Sequence, residues 1–308
     1  MKSKIGHVGL SLLAALLLAA WGDGVSARQR PKPGPAAGGA RTLTILSEPN
    51  TIVWIDEIRR GTTDATGTLA QVRVSAGAHR LRARANGFKE LTMSLPVARR
   101  GEIKVRLVRT ADQAELSFQQ AETARETARD DGARQQAADL YRRTLRLRPA
   151  FPAAHVGLAR VLLDLNDTNA ALAEIEAARR DRPVYAEASA VEGRIYRETG
   201  QTDEAIGAFN RAFRESGGFQ PESHVGIGRV YEDKGLYELA AREFQIATNQ
   251  LSGTEPIIYQ LLGAAYEKSG NNREAIAAYE NYLRLAPNGS LAPAVRSIVK
   301  QLKSQAPN

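Results

Sequence analysis

One spacing constrains this 308-residue chain more than any other feature: a small residue followed four places later by a large one, returning every 34 or 35 residues. Ala137 and Tyr141 open the series. Ala171 and Ile175, Ala205 and Phe209, Ala240 and Phe244, and Ala275 and Tyr279 follow at steps of 34, 34, 35 and 35. A second set runs in register ahead of it: Gly193, Tyr196 and Gly200, then Gly228, Tyr231 and Gly235, then Gly263, Tyr266 and Gly270. Pro149, Pro183 and Pro287 each fall twelve residues after their alanine. From about Ala111 onward the apolar residues recur with the 3.6-residue period of a helix. A unit this short cannot bury its own apolar face, so consecutive units must stack into a solenoid.

These residues and their spacing resemble the tetratricopeptide repeat. The resemblance implies units of two antiparallel helices, with small residues letting the helices approach and Tyr196, Tyr231 and Tyr266 filling the space between them. On that resemblance residues 111–290 form an all-α superhelix of about five repeats, 118–151, 152–185, 186–220, 221–255 and 256–290. The first repeat departs most, with Arg125 and Ala128 where later repeats have Gly and Tyr, which suits a cap. Two repeats run one residue long, near Gly217-Gly218 and Leu251-Ser252-Gly253. Residues 291–308 hold a final helix and tail. Leu291, Val295, Ile298, Val299 and Leu302 make its apolar stripe, opposite Arg296, Lys300 and Lys303, as a helix closing the end of a solenoid requires.

Residues 42–110 have a different period. Short β-rich runs (43–46, 52–55, 69–74, 78–85, 88–95 and 103–108) are separated by Gly61, Gly67, Gly77, Gly87 and Gly101, which reads as about six strands in a small β-sandwich. Leu81, Ala83 and Ala85 alternate with Arg80, Arg82 and Arg84, and Ile103, Val105 and Leu107 with Glu102, Lys104 and Arg106. His79 falls on the apolar side. Pro49, Val53, Ile55, Asp56, Gly61-Thr62-Thr63, Gly77, His79 and Asn86-Gly87-Phe88 together resemble the PEGA domain. Pro49-Asn50-Thr51-Ile52 replaces that family's naming tetrapeptide, and Glu57 stands where Gly usually follows the Asp. The resemblance implies an accessory module of cell-envelope and surface proteins, with no catalytic residues to carry over.

Residues 1–27 read as a secretory signal peptide. Lys2 and Lys4 precede an apolar run from Val8 to Trp21, and Val25-Ser26-Ala27 offers a cleavage site. An uncleaved anchor is the alternative, although the run is shorter than the ~20 residues of a membrane span. Residues 28–41, with three prolines and no apolar period, read as a flexible linker. The expected location is therefore periplasmic or secreted. With no cysteine in the chain, a lipoprotein anchor, a disulfide scaffold and thiol chemistry are all excluded. The formal charge of +8 is uneven: residues 28–109 carry sixteen basic and six acidic side chains, residues 110–308 twenty-four and twenty-seven. A basic pI confined to one end, in an exported chain, argues against nucleic acid as a partner.

Nothing in the sequence points to catalysis, a cofactor, a metal or a small-molecule substrate. No paired-histidine metal motif, phosphate loop or nucleophile elbow is present. His155 and His224 share the fourth position of their repeats, where a packed core histidine is the simpler reading. The expected activity is that of a non-catalytic scaffold that takes an extended peptide or helix of a partner protein in its groove. In the resembling family the ninth position of each repeat faces that groove, and here Arg160, Arg194 and Arg229 occupy it in three consecutive repeats. Such a ladder of planar donors suits an acidic partner segment. Glu198, Glu232, Asp164 and Asp233 lie near enough to neutralise it. Val156, Val225 and Ile257 complete the expected groove. The rival reading is an envelope-polymer binder in which Arg80, Arg82, Arg84, Lys104 and Arg106 form a basic face for anionic polysaccharide or peptidoglycan. A charged edge that merely keeps the domain soluble competes with it.

Overall fold

The computed structural model describes residues 41–56, 58–74, 79–96, 98–251 and 253–305. The signal peptide and almost all of the linker expected from the sequence lie outside these residues.

Among the described residues nine strands come first: β1 (Arg41–Leu46), β2 (Ile52–Ile55), β3 (Ile58–Thr62), β4 (Thr68–Val74), β5 (His79–Arg84), β6 (Phe88–Lys89), β7 (Leu91–Leu95), β8 (Gly101–Lys104) and β9 (Val108–Arg109). They form a three-stranded sheet in the order β4-β1-β8 and a four-stranded antiparallel sheet in the order β3-β2-β5-β7, with a short β6-β9 ribbon beside them. β1 pairs parallel with β8, the chain having crossed between sheets in the interval. Side-chain alternation buries one face of each sheet against the other. Leu43, Ile45, Val72, Val74 and Ile103 meet Val53, Ile55, Leu81, Ala83 and Leu95. Gly67 is required where it stands: at φ +79° a Cβ there would lie 2.0 Å from the Ser47 carbonyl oxygen.

Two expectations change here. The sandwich has more strands than the six read from the sequence. β3 reads as a turn in the sequence, because Ile58-Arg59-Arg60-Gly61-Thr62 shows no apolar alternation, and the 88–95 run divides into β6 and β7. Arg41, which the sequence places in the linker, opens β1 and is buried.

Eleven helices follow among the described residues: α1 (Gln113–Thr127), α2 (Asp131–Leu147), α3 (Pro152–Asp164), α4 (Thr168–Asp181), α5 (Ala186–Glu198), α6 (Thr202–Ser216), α7 (Pro221–Asp233), α8 (Tyr237–Gln250), α9 (Pro256–Lys268), α10 (Asn272–Leu285) and α11 (Ala292–Gln305). Their ends are set locally. Asp112, Asp130 and Asp167 cap α1, α2 and α4 through their carboxylates, and Pro152, Pro221 and Pro256 occupy first turns. Between the helices of a repeat the chain turns through a left-handed residue, Asn166, Gly200, Gly235 or Gly270. The first repeat lacks that turn: α1 stops at Ala128 in extended backbone.

Packing within each pair depends on one ring from the second helix. Tyr141, Phe209, Phe244 and Tyr279 are essentially inaccessible to solvent. Gly193, Gly228 and Gly263 lie so close to Phe209, Phe244 and Tyr279 that a Cβ would come within 2.7, 2.5 and 2.7 Å of the ring. In the second repeat Ile175 replaces the ring, and Ala159 is accommodated. The first-helix tyrosines Tyr196, Tyr231 and Tyr266 are only half-buried, at the margins of these clusters. They do not fill the interhelical gap, because the second-helix rings already do. α11 closes the solenoid through Ala292, Val295, Val299 and Leu302 against Tyr279 and Tyr282. Among the described residues no helix is long and apolar enough to cross a membrane.

Candidate protein-docking groove

Residues three and four apart on a helix share one face. On the first helices this rule selects Gln119, Glu122 and Glu126 on α1, Val156 and Arg160 on α3, Glu187, Ala190 and Arg194 on α5, Glu222, Val225 and Arg229 on α7, and Ile257 and Ala264 on α9. The ion pairs show which way this face curves. Arg160 Nη1 lies 2.6 Å from Glu187 Oε1 on α5, and its Nη2 lies 3.5 Å from Glu222 Oε2 on α7. A side chain reaches helices one and two repeats away only on the inside of a bend. The face is therefore concave.

The concave face is not empty. The outer surface of the β3-β2-β5-β7 sheet lies against it. Arg84 on β5 is 3 % exposed, with Nη1 3.6 Å from Glu122 Oε2 and Nη2 3.4 Å from Glu126 Oε1. Arg59 on β3 pairs with Glu126 at 3.4 Å. Its neighbour Arg60 points the other way, to Glu255 at 3.6 Å and Thr254 at 2.9 Å, just ahead of α9. Ile58 packs against the apolar cluster of α8 and α9. Gln119 donates to the Phe88 carbonyl at 2.6 Å. Trp54 sits in the same sheet surface, 5 % exposed, with the guanidinium groups of Arg82 and Arg84 4.1 and 4.8 Å from its ring.

Charge balance makes this burial tolerable. Burial alone would raise the Glu122 carboxyl, but Arg125 and Arg84 beside it and the Tyr141 hydroxyl donating to it hold it down at about 2. Glu187 is likewise drawn below its ordinary value against its own burial, by Arg160 first and Arg82 second. Glu90, bonded to Arg82 at 3.1 Å, is the exception: its burial outweighs the two arginines and raises it.

The residues expected to bind a partner divide accordingly. The three ladder arginines share the concave face, and each is engaged. Arg160 holds Glu187 and Glu222, Arg194 approaches Asp164 at 3.5 Å, and Arg229 bonds Glu232 at 3.0 Å. Glu198 pairs with Arg197 at 2.7 Å. Val156 is a core residue, buried between helices, and offers no groove surface. Val225 is partly covered, while Ile257 is 49 % exposed. The expected basic face is not one surface. Arg80, Arg82 and Arg84 do oppose Leu81 and Ala83, but Arg82 and Arg84 are covered at the junction, and Lys104 and Arg106 extend from the other sheet. Only Arg80, Lys104 and Arg106 of the five are exposed.

The histidines are tied down, though not in an apolar core. His155 Nδ1 lies 2.6 Å from Glu174 Oε2, and His224 Nδ1 lies 2.7 Å from Glu243 Oε2, so each links first helix to second. The glutamates follow at the same interval of 19 residues, a recurrence readable from the sequence.

Paired helices around buried rings, with a continuous concave face, define a helical-repeat interaction solenoid. Tetratricopeptide repeat profiles match residues 122–184, 156–221, 191–256 and 257–288, and the chain belongs to the tetratricopeptide repeat family. Proteins of this fold are typically scaffolds for protein–protein interaction and generally non-catalytic. The chain is similar to a thermophilic tetratricopeptide protein of Thermus thermophilus, with 23 % identity and a TM-score of 0.52 over 62 % of this chain and 99 % of that one. Cut9 with Hcn1, of an APC/C hetero-tetramer, matches at 17 % identity and TM-score 0.54 over 64 % of this chain and 38 % of that one. PilW, described as a widely conserved type IV pilus biogenesis factor, matches at 14 % identity and TM-score 0.52 over 64 % and 93 %. These likenesses are of fold. No curated protein matches the chain.

Proposed function

We propose that the chain is a non-catalytic scaffold of the cell envelope, exported by its N-terminal segment, that holds a partner protein against the concave face of its solenoid. The observation that carries this reading is the ion-paired inner surface itself. Arg160, Glu187 and Glu222 draw the first helices of three repeats together, leaving a curved polar wall with Arg194, Arg229 and Ile257 accessible along it. The Arg194–Asp164 pair farther along the wall is the more open one and is worth about 0–1 kcal/mol, so a ligand can exchange with it.

The β-sandwich is read as a PEGA-like module. Asp56, at φ +53°, accepts from the Arg80 backbone N–H at 2.9 Å and pairs with His79 at 2.5 Å, so two distant parts of the motif meet at one turn. Asn86-Gly87-Phe88 forms a second turn, with Gly87 at φ +81° accepting from Thr110. An anionic polymer would have Arg80, Lys104 and Arg106 to bind, not five residues on one face.

Affinity purification of the chain from its own envelope, followed by mass spectrometry, tests the scaffold reading. Replacing Val225 and Ile257 together by Lys should remove the partner from the eluate. Undiminished recovery would place the interaction elsewhere, and loss on replacing Arg80, Lys104 and Arg106 instead would favour the polymer.

A further inference from the structure

We infer that the concave face is built for a cationic, arginine-bearing segment of the partner, and that the chain's own β domain holds that place in cis until the partner displaces it. The inference rests on the scaffold reading above and specifies its partner.

The chemistry follows from what the β domain presents. Its contributions are chiefly arginines, Arg59, Arg60, Arg82 and Arg84, near Trp54 and Ile58, with one carboxylate of its own, Glu90, against Arg82 and Arg84. The solenoid answers with carboxylates from separate places: Glu122 and Glu126 on α1, and Glu255 before α9. Arg82, Arg84 and Trp54 lie on the face of β2 and β5 turned away from the sandwich core, as the pairing of Trp54 with Arg82 shows. The sandwich closes without them. An isolated domain with this surface would leave a tryptophan under two arginines in solvent, so the surface is made for contact. The three ladder arginines, each satisfied within the solenoid, leave the acidic residues as the side that faces the occupant.

The fit is also incomplete, as an exchangeable contact should be. Arg60 Nε and Gln119 Oε1 are buried at this junction without a hydrogen-bond partner, and Arg84 Nη1 meets Glu122 only as a 3.6 Å ion pair. Buried polar atoms left unmatched weaken a contact, and an occupant that satisfies them gains over one that does not. Against this, a short tether gives the β domain an effective concentration on the order of millimolar. A partner must therefore overcome a local competitor, and its apparent affinity is reduced by the fraction of chains whose face is occupied.

The chain contains no cysteine, which permits a clean test. Arg59→Cys with Glu126→Cys, bridged by a short bismaleimide, locks the β domain in place; Arg60→Glu with Arg84→Glu releases it. Both are made with Trp21→Phe, so that Trp54 emission reports release. The probe is fluorescein-labelled nona-arginine, with nona-glutamate as its counterpart. The released chain should show red-shifted Trp54 emission and bind nona-arginine about tenfold or more tighter than the parent. The locked chain should bind it less than the parent does. Adding Glu122→Gln and Glu126→Gln to the released chain should remove the gain. Equal affinity in locked and released chains, or preference for nona-glutamate, overturns the inference. Cross-linking between separate Arg59→Cys and Glu126→Cys chains, at twice the chain mass, also overturns it and makes a second copy the occupant. The scaffold reading is read separately, from envelope protein recovered with each chain. A partner held equally by locked and released chains leaves that reading standing while the cis competition fails; a partner held by neither removes the scaffold reading alone.

Discussion

Arg84 of the β-sandwich reaches Glu122 of the first solenoid helix across 3.6 Å, with only 3 % of the arginine exposed. Each member has a second partner of opposite charge: Glu122 keeps Arg125 at 3.1 Å, and Arg84 keeps Glu126 at 3.4 Å. The pair sits among groups with different jobs. Arg125 and Tyr141 hold Glu122 from within the first repeat, while Arg84 approaches it from outside. Glu122 is thus shared between the repeat's own packing and the contact with the β domain.

This sharing has a pH signature. Glu122 titrates at about 2 in the folded chain, below the ordinary 4.5. A depressed carboxyl contributes stability that is present above the unfolded value and lost as pH falls through the folded one. The melting-temperature difference between wild type and Glu122→Gln should therefore be largest above pH ~5 and shrink between pH ~4.5 and ~2. Calorimetry across that range checks it; a constant difference would show that the charge contributes nothing.

His155 behaves in the opposite sense. Burial would lower its pKa, but Glu174 and the Pro149 carbonyl raise it above 6.5. Its contribution is full below the unfolded value and lost as pH rises through the higher folded one. NMR titration should place His155 above a solvent-exposed histidine, and Glu174→Gln should bring it down. No change on that substitution would mean that the pair does not form in solution.

Glycines separate packing from propensity. Gly228→Ala puts a methyl group 2.5 Å from the Phe244 ring and should destabilise by about 1–3 kcal/mol. Gly207→Ala, in α6 with nothing within 4 Å, should instead stabilise by about 0.4–1 kcal/mol. Urea denaturation of the two variants should move the midpoint in opposite directions.

The rings should rank by burial. Phe244→Ala removes a fully buried side chain and should cost about 3–5 kcal/mol, while Tyr231→Ala, at a half-buried site, should cost clearly less. Thermal melting of the pair checks the order.

How far the sequence revealed this can be traced residue by residue. The solenoid was legible because its rule is stated five times over: the Gly193–Phe209 and Gly228–Phe244 contacts are one packing solution at one period. The height of Arg160, Arg194 and Arg229 on the first helices followed from the same period. Asp164 and Glu232, read from the sequence as neutralising residues, are the partners of Arg194 and Arg229, but Arg160 meets Glu187 and Glu222 at separations of 27 and 62 residues, which depend on curvature. β3 escaped because its apolar residue, Ile58, packs on the solenoid and not in the sandwich, so no alternation appears. Alternation correctly set Arg82 and Arg84 opposite Leu81 and Ala83, yet it could not say what covers that side. Trp54 was the readable sign: an aromatic in register with Arg82 marks a face that something else buries.

A photo-reactive residue at Ile257 or Arg229 on the concave face, compared with Glu176 or Glu204 on second helices, tests the central claim most directly. Irradiation in the native envelope should yield one cross-linked partner protein from positions 257 and 229 and none from 176 and 204. Cross-links arising equally from the second helices, or none from the concave face, would contradict a docking groove.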